Sequence, residues 1–191
     1  PLFLKMLRVN VGLTEDEIGL FLESWVSRTV RKKEHYFRAG EICNATAYVN
    51  KGCLRRYLIN EQEKESIVNF ATEDWWIGDL ESFLFEKPTI YHAQALEDSE
   101  LLLLPRESFL RAQEMFPKYK TFHVEKIQRS YFATLKRTTL SKTGTPEERY
   151  LLLLKEQPGL FQRIPLHYIA CYLGIEPESL SRLRRRLAGK P

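Results

Sequence analysis

A chain of 191 residues with 43% apolar content can hold two small domains or one larger one and can fill an ordinary globular core. Its net charge of +4 is uneven: residues 1–140 carry 20 Lys+Arg against 20 Asp+Glu, residues 141–191 carry 9 against 5, so only the tail is expected to meet a polyanion. Three cysteines (Cys43, Cys53, Cys171) in no metal-type spacing exclude a cysteine metal centre and point to a reducing compartment, and no apolar run approaches a membrane span.

Residues 13–28 read as an amphipathic helix. Thr14-Glu15-Asp16-Glu17 has the form of a capping box, and Ile18, Phe21, Leu22 and Trp25 make the apolar stripe. Arg31-Lys32-Lys33 reads as a solvated connection rather than a binding patch. From Glu34 to Pro105 the period changes. Short β-branched and aromatic segments recur at His35–Phe37, Ala47–Asn50, Leu54–Ile59, Ser66–Phe70, Trp75–Ile77, Tyr91–Leu96 and Glu100–Leu104, which predicts an antiparallel barrel or roll. The aromatic group Trp75, Trp76, Phe83, Phe85 and Tyr91 is expected to be core and pocket lining.

Helices return with Glu107–Met115 and then a long one from about Pro117 to Ser141. Along it Val124, Ile127, Tyr131, Thr134 and Thr138 step by three and four, a seam suited to a partner helix in a homodimer. Phe122, Phe132 and Leu135 form a second face that could pack on the roll instead. Ser141–Thr145 (SKTGT) reads as a hinge. Thr145-Pro146-Glu147-Glu148 opens another helix with Thr as cap and Pro at the first position, Pro158-Gly159 ends it, and Phe161–Ile164 is expected as a short strand. The divisions are thus 1–116, a roll with flanking helices; 117–141, the long helix; and 142–191, the basic tail.

The tail holds the most informative stretch, Ile164–Leu187. Ala170, small enough for a close helix crossing, stands four before Gly174, which can take the positive φ that starts a turn; Glu176-Pro177 then opens a second helix. Ile169, Ala170, Leu173, Ile175, Leu180, Leu183 and Leu187 form the inward set. Glu178, Ser181, Arg182 and Arg185 fall on the outer face. Arg donates two hydrogen bonds to guanine, Glu accepts from cytosine and Ser serves either, so this face has the chemistry of base reading. Arg184, Arg185 and Arg186 suit phosphates, although an arginine run also simply favours a helix C-terminus.

Helix, roll, long helix, hinge and helix-turn-helix, in that order, resemble the cyclic-AMP receptor/fumarate-nitrate reductase regulator (Crp/Fnr) superfamily over nearly the whole chain. Phe37-Arg38-Ala39-Gly40-Glu41 and Asn50-Lys51-Gly52 look like its turns, Ile77-Gly78-Asp79-Leu80 like the start of its phosphate-binding cassette, and Ala170, Gly174, Leu180, Ser181 and Arg182 like its DNA-binding motif. The resemblance implies an α+β fold: an antiparallel β-roll of the cyclic-nucleotide-binding kind, a long dimerisation helix and a C-terminal winged helix-turn-helix. It implies base reading by Glu178, Ser181 and Arg182, and phosphate contacts from His167, Ser179 and Arg185. It also implies double-stranded DNA, a second copy of the chain and RNA polymerase as partners, in the cytoplasm.

The departures bear on the ligand. The family's nucleotide sensors carry a Gly-Glu pair and an Arg-Ser or Arg-Ala pair; here those positions fall on Gly78-Asp79, with Leu80 following, and on Thr89-Ile90. No Lys or Arg lies between Lys87 and Arg106, so a buried phosphate would lack its bidentate partner, and cyclic AMP is not expected to bind with the usual affinity. Lys87 is expected on the surface. An iron–sulfur centre does not fit the cysteine positions, His35 and His92 read as structural rather than as haem ligands, and no cofactor is expected. No G-x-S-x-G, H-E-x-x-H, P-loop or dinucleotide glycine pattern occurs, so an enzyme is not expected. The leading reading is a dimeric regulator on a near-palindromic operator; the alternative is a ligand- or partner-sensing module whose tail does not bind DNA.

Overall fold

A computed structural model describes residues 2–188. Helix α1 (Leu2–Lys5) runs into a π-helical turn (Met6–Val11), burying Phe3, Met6, Leu7 and Val11. Helix α2 (Glu15–Leu22) starts at the expected capping box. The Glu17 N–H donates to Thr14 Oγ1 at 3.2 Å, and the Thr14 N–H donates to the Glu17 carboxylate at 2.7 Å. The helix is shorter than the 13–28 stripe predicts, because β-branched Val26, Thr29 and Val30 enter a strand, β1 (Val26–Val30).

Seven more strands follow: β2 (His35–Phe37), β3 (Ala45–Lys51), β4 (Leu54–Ile59), β5 (Glu65–Ala71), β6 (Trp76–Ile77), β7 (His92–Ala95) and β8 (Ser99–Pro105). A helix that the sequence pattern does not signal, α3 (Leu80–Phe85), sits between β6 and β7. The strands make two antiparallel four-stranded sheets, ordered β1-β8-β3-β6 and β2-β7-β4-β5. The β4–β5 hairpin pairs Leu54 with Ala71 and Ile59 with Glu65, and the Asn60 side chain accepts from the N–H groups of Gln62 and Lys64 to close its turn. One hydrophobic core joins both sheets to α1, α2 and α3.

Helices α4 (Arg106–Met115) and α5 (Pro117–Thr143) close that core with Phe109, Phe116 and Tyr119. The remainder is helical: α6 (Pro146–Glu156), α7 (Leu160–Arg163), α8 (Leu166–Leu173) and α9 (Pro177–Ala188). Thr145 caps α6 through a second capping box with Glu148, and Pro146 takes its first position. The strand expected at Phe161–Ile164 is a helical turn instead; Leu160 is buried there, and the Ile164 N–H bonds back to the Leu160 carbonyl. No strand follows β8 among the described residues, so the expected wing has no counterpart in them. The hinge is also shorter than SKTGT. Helix α5 continues to Thr143, and a Cβ on Gly144 would come within 2.7 Å of the Leu140 carbonyl, so glycine is required there by space.

A second core fuses the C-terminal helices to the roll. Tyr57, Ile67 and Phe70 of β4 and β5 pack with Tyr150, Leu153, Leu160, Ile169, Ala170, Leu180 and Leu183. Strand β5 is the outermost strand of its sheet, and α8 packs along it, where Cys171 Sγ donates to the Glu65 carbonyl at 3.3 Å. Arg163 pairs across the junction with Glu73, at 2.7 Å, and with Glu97. Burial alone would raise the Glu73 carboxyl, but Arg163 and the Gly52 N–H outweigh it and hold the group down to about 2.

Candidate nucleic-acid interface

The turn between α8 and α9 follows from one residue. Gly174 lies at φ 64°, ψ 40°, and its N–H closes α8 by bonding back to the Ala170 and Cys171 carbonyls. A Cβ there would meet nothing within 4 Å, so glycine is needed for its dihedrals. Pro177 then begins α9. At about 100° per residue, Glu178, Arg182 and Arg185 fall within about 60° of one another. All three are exposed, while Leu180 and Leu183 on the other side are buried and Leu187 packs against them. Ser181 flanks this stripe, half-buried.

The remaining polar positions differ among themselves. Ser179 is half-buried, and its hydroxyl accepts from Arg182 Nη2 at 3.3 Å. His167 is exposed on the first turn of α8, its ring 4.0 Å from that of Tyr168. Within the arginine run, Arg185 alone is exposed and outside the ion pairs of the described residues. Arg184 is half-buried at the edge of the packed face, and Arg186 pairs with Glu147 of α6. A run of three cations therefore divides into three environments, because the helix turns each by a further 100°.

The pocket positions on the roll are polar groups that satisfy one another. Gly78 gives its carbonyl to Arg56 Nη1 at 2.5 Å. Asp79 caps α3, accepting from the Glu81 N–H at 3.1 Å with one carboxylate oxygen, and accepts from Thr89 Oγ1 at 2.7 Å with the other. Thr89 is buried and also accepts from the Tyr91 N–H at 3.1 Å; Leu80 is partly exposed at the rim of a cavity beside the roll, and Ile90 is 65% exposed. Lys87 is exposed and lies 3.6 Å from Glu81. His35 Nε2 bonds the Tyr57 hydroxyl at 3.0 Å, and the His92 ring stacks on Tyr57 at 5.0 Å. No group of three or more His, Cys, Asp or Glu among the described residues is arranged to hold a metal. Of the aromatic group, Phe83 is in the core and Trp76 and Tyr91 pack on it, but Phe85 is 66% exposed, as the last residue of a short helix that turns outward.

A family model for the cyclic nucleotide-binding domain matches residues 27–115. The catabolite activator protein of Thermus thermophilus is 27% identical with a TM-score of 0.60, over 94% of this chain and 86% of that one. Its roll thus matches the cyclic nucleotide-binding domain, and over nearly its whole length the chain is similar to a member of the Crp/Fnr superfamily. Two further superfamily structures share its fold at lower identity. The c-di-GMP-responsive global regulator CLP of Xanthomonas campestris is 14% identical with a TM-score of 0.72, covering 92% of both chains. FixK2 of Bradyrhizobium japonicum is 18% identical with a TM-score of 0.73, over 86% of this chain and 84% of that one. These Crp/Fnr structures include transcription regulators and no enzyme is among them. No curated protein sequence matches the chain. No helix among the described residues is long and apolar enough to cross a membrane.

Helix α5 carries both the expected seam and the second face. Ile127, Tyr131, Thr134 and Thr138 border a cavity of about 820 Å³ beside the roll and the C-terminal helices. Of the face that could have packed on the roll, Phe122 does so, but Phe132 and Leu135 are 66% and 51% exposed. Lys126 still reaches the roll, its ammonium 3.3 Å from the centroid of the Trp76 ring, whereas Phe132 and Leu135 do not pack on the roll's core. Sequence reasoning also missed Arg56 as a pocket residue. The signal was available: Arg55-Arg56 inside an apolar strand places one cation on each sheet face.

Proposed function

We propose that the chain is a sequence-specific DNA-binding transcription regulator that acts as a homodimer on a near-palindromic operator and does not respond to cyclic AMP. The observation that carries the reading is the exposed stripe Glu178, Arg182 and Arg185 on a helix whose opposite side is locked down by Leu180 and Leu183. Glu178, Arg182 and Ser181 are the base-reading set. His167, Ser179 and Arg185 are the phosphate set, with Arg184 and Arg186 adding positive charge. On α5 Val124 and Tyr131 of the predicted seam (Val124, Ile127, Tyr131, Thr134, Thr138) are exposed and share one stripe with Leu135, which was expected on the second face; this supports pairing with a second copy along that stripe. Two copies of α9 would then enter successive major grooves about 34 Å apart. The units are the roll (1–116), the pairing helix (117–141) and the DNA-binding tail (142–191).

The chemistry at the cassette supports the absence of a cyclic-AMP response. Thr89 stands where the phosphate-binding arginine is usual, and its hydroxyl occupies the Asp79 carboxylate. Selection of bound sequences from a random duplex pool tests the reading. The expected product is a two-fold symmetric site with half-sites one helical turn apart, recovered equally with and without cyclic AMP. The alternative, a sensing module whose tail ignores DNA, draws on Arg186 being paired with Glu147 and Arg184 being half-buried. Recovery of no enriched sequence, with binding no tighter than to any duplex, would establish that alternative.

A further inference from the structure

We propose that His35 is a proton-operated catch on the C-terminal helices: neutral, it lets Tyr57, Arg55 and Tyr168 stack and seat α8 on the roll; protonated, it loosens that seat. The planar groups involved run from the roll to the tail. The His92 ring stacks on Tyr57, centroids 5.0 Å apart and planes at 23°. The Arg55 guanidinium lies between two rings, 4.1 Å from the centroid of Tyr57 and 4.3 Å from that of Tyr168 on α8. Tyr168 in turn lies 4.0 Å from the ring of His167. His35 enters from the side: its Nε2 bonds the Tyr57 hydroxyl at 3.0 Å, and its ring stands 6.0 Å from that of His92. Tyr57 is buried and belongs to the core that ties the tail to the roll. Seating α8 fixes where α9 points, so a proton taken up on the roll would be felt at the outer stripe of the last helix.

A proton on His35 has no good place in this arrangement. The imidazolium must donate from both nitrogens. Nε2 can donate to the Tyr57 oxygen, but Nδ1 is buried with no hydrogen-bond partner, so its N–H would be left unmet. The groups facing the ring also oppose a further cation. Arg38 lies just past β2, Arg55 is on β4 and His92 is on β7, with Glu41 the one carboxylate acting in the other direction. Glu65 of β5 is taken up by Arg55, and Gln94, opposite His35 on β7, gives its carbonyl oxygen to the same guanidinium. From α8 come Tyr168 and His167, and that helix has no carboxylate. Burial is the largest cause holding His35 below its ordinary 6.5, and the Arg38, His92 and Arg55 charges add to it. The seated value is the lower one, so the catch holds above about 6.5 and weakens as pH falls below that. The window lies above that of Glu73, so the Arg163 latch stays closed while the catch loosens.

The catch does not depend on DNA binding and is tested without it. Amide hydrogen exchange of the full chain is followed at about pH 7.5 and about pH 5.5, each corrected for the intrinsic rate. Expected is opening of α8 about tenfold more frequent at the lower pH, while β3 and β8 in the roll change within about twofold. His35→Gln, which keeps a hydrogen-bonding partner for Tyr57 but takes up no proton, should hold α8 to within about twofold over the same range. His167→Gln, at the exposed far end of the stack, should keep the parent's response. Should His35→Gln fail to fold by circular dichroism, the parent decides: by nuclear magnetic resonance the His35 ring must titrate with the midpoint of the α8 transition. An α8 protection independent of pH, a response that survives in folded His35→Gln or vanishes in His167→Gln, equal loosening of β3 and β8, or a His35 midpoint apart from that of α8 would each overturn the proposal.

Discussion

The arginines of the roll and those of the last helix are the same residue put to opposite uses. Arg55 is 3% exposed, forks onto Glu65 and Gln94, and lies over the rings of Tyr57 and Tyr168. Arg106 spans Glu86 and the carbonyls of Phe83 and Leu84. Arg182 and Arg185 of α9 stand in water, with only Ser179 near the first. In the roll, desolvation drives the Arg55 and Arg106 guanidinium groups to use their donors internally. On α9 Arg182 and Arg185 stay open to water because buried leucines on the other side, with the Arg186–Glu147 pair, hold the helix down. Charge composition could locate the basic tail, but only burial separates a brace from a reader.

Substitutions can break that contrast. The largest expected effect is Arg55→Met, which leaves the carboxylate of Glu65 and the amide of Gln94 without their partner. It should cost about 2–3 kcal/mol in denaturant unfolding while leaving sequence preference on DNA intact. A mutant as stable as the parent would show that the fork contributes nothing. Arg182→Ala should do the reverse, leaving the melting temperature unchanged while discrimination at one base pair of the selected site falls by about 1–3 kcal/mol. Retention of the parental preference would remove Arg182 from the base-reading set. Gly174→Ala tests what aims the outer stripe. The left-handed conformation should cost about 1–2 kcal/mol, with specific DNA binding lost ahead of global unfolding.

Acid sharpens the same comparison. Glu73 is held at about 2 against an ordinary 4.5. Its folded value is the lower one, so the Arg163 latch contributes fully above about 4.5 and is lost as pH falls from there toward about 2. Arg163→Ala should shrink the part of the acid transition in that window to what the Gly52 N–H sustains, read as melting temperature against pH, whereas Arg185→Ala should leave it unaltered. The smallest effect is that of Arg185→Ala on DNA: a few-fold weaker binding to all sequences alike, and a salt dependence shallower by about one counterion.

Local chemistry made part of this legible in the sequence. Both capping boxes, at Thr14 and Thr145, and the strands His35–Phe37 and Leu54–Ile59 stand where their residue types predict, since each rests on contacts within a few residues. The Gly174 turn is of the same kind. What failed depended on distant neighbours. Val26–Arg28 continues a helical stripe in the sequence but is claimed by β8 through pairing with Leu101–Leu103. Phe161–Ile164 has an apolar pattern that suits strand or helix, and the buried Leu160 anchors it as a helical turn. The cavity was legible in part: Gly78, Asp79 and Leu80 of the expected pocket line it with Trp75, Trp76 and Phe83, but Arg137 and Arg149, far from them in the chain, join that wall only where the second core ties the tail to the roll.

That joint has a practical consequence. Strand β5 ends its sheet, and α8 is what lies along it, with Ile67 and Phe70 beneath. A fragment trimmed after Gly144 would bare an unpaired strand edge beside a greasy sheet face, the combination that drives chains to stack on one another. Such a fragment should aggregate on release, and solubilising it would take charged substitutions at those two residues.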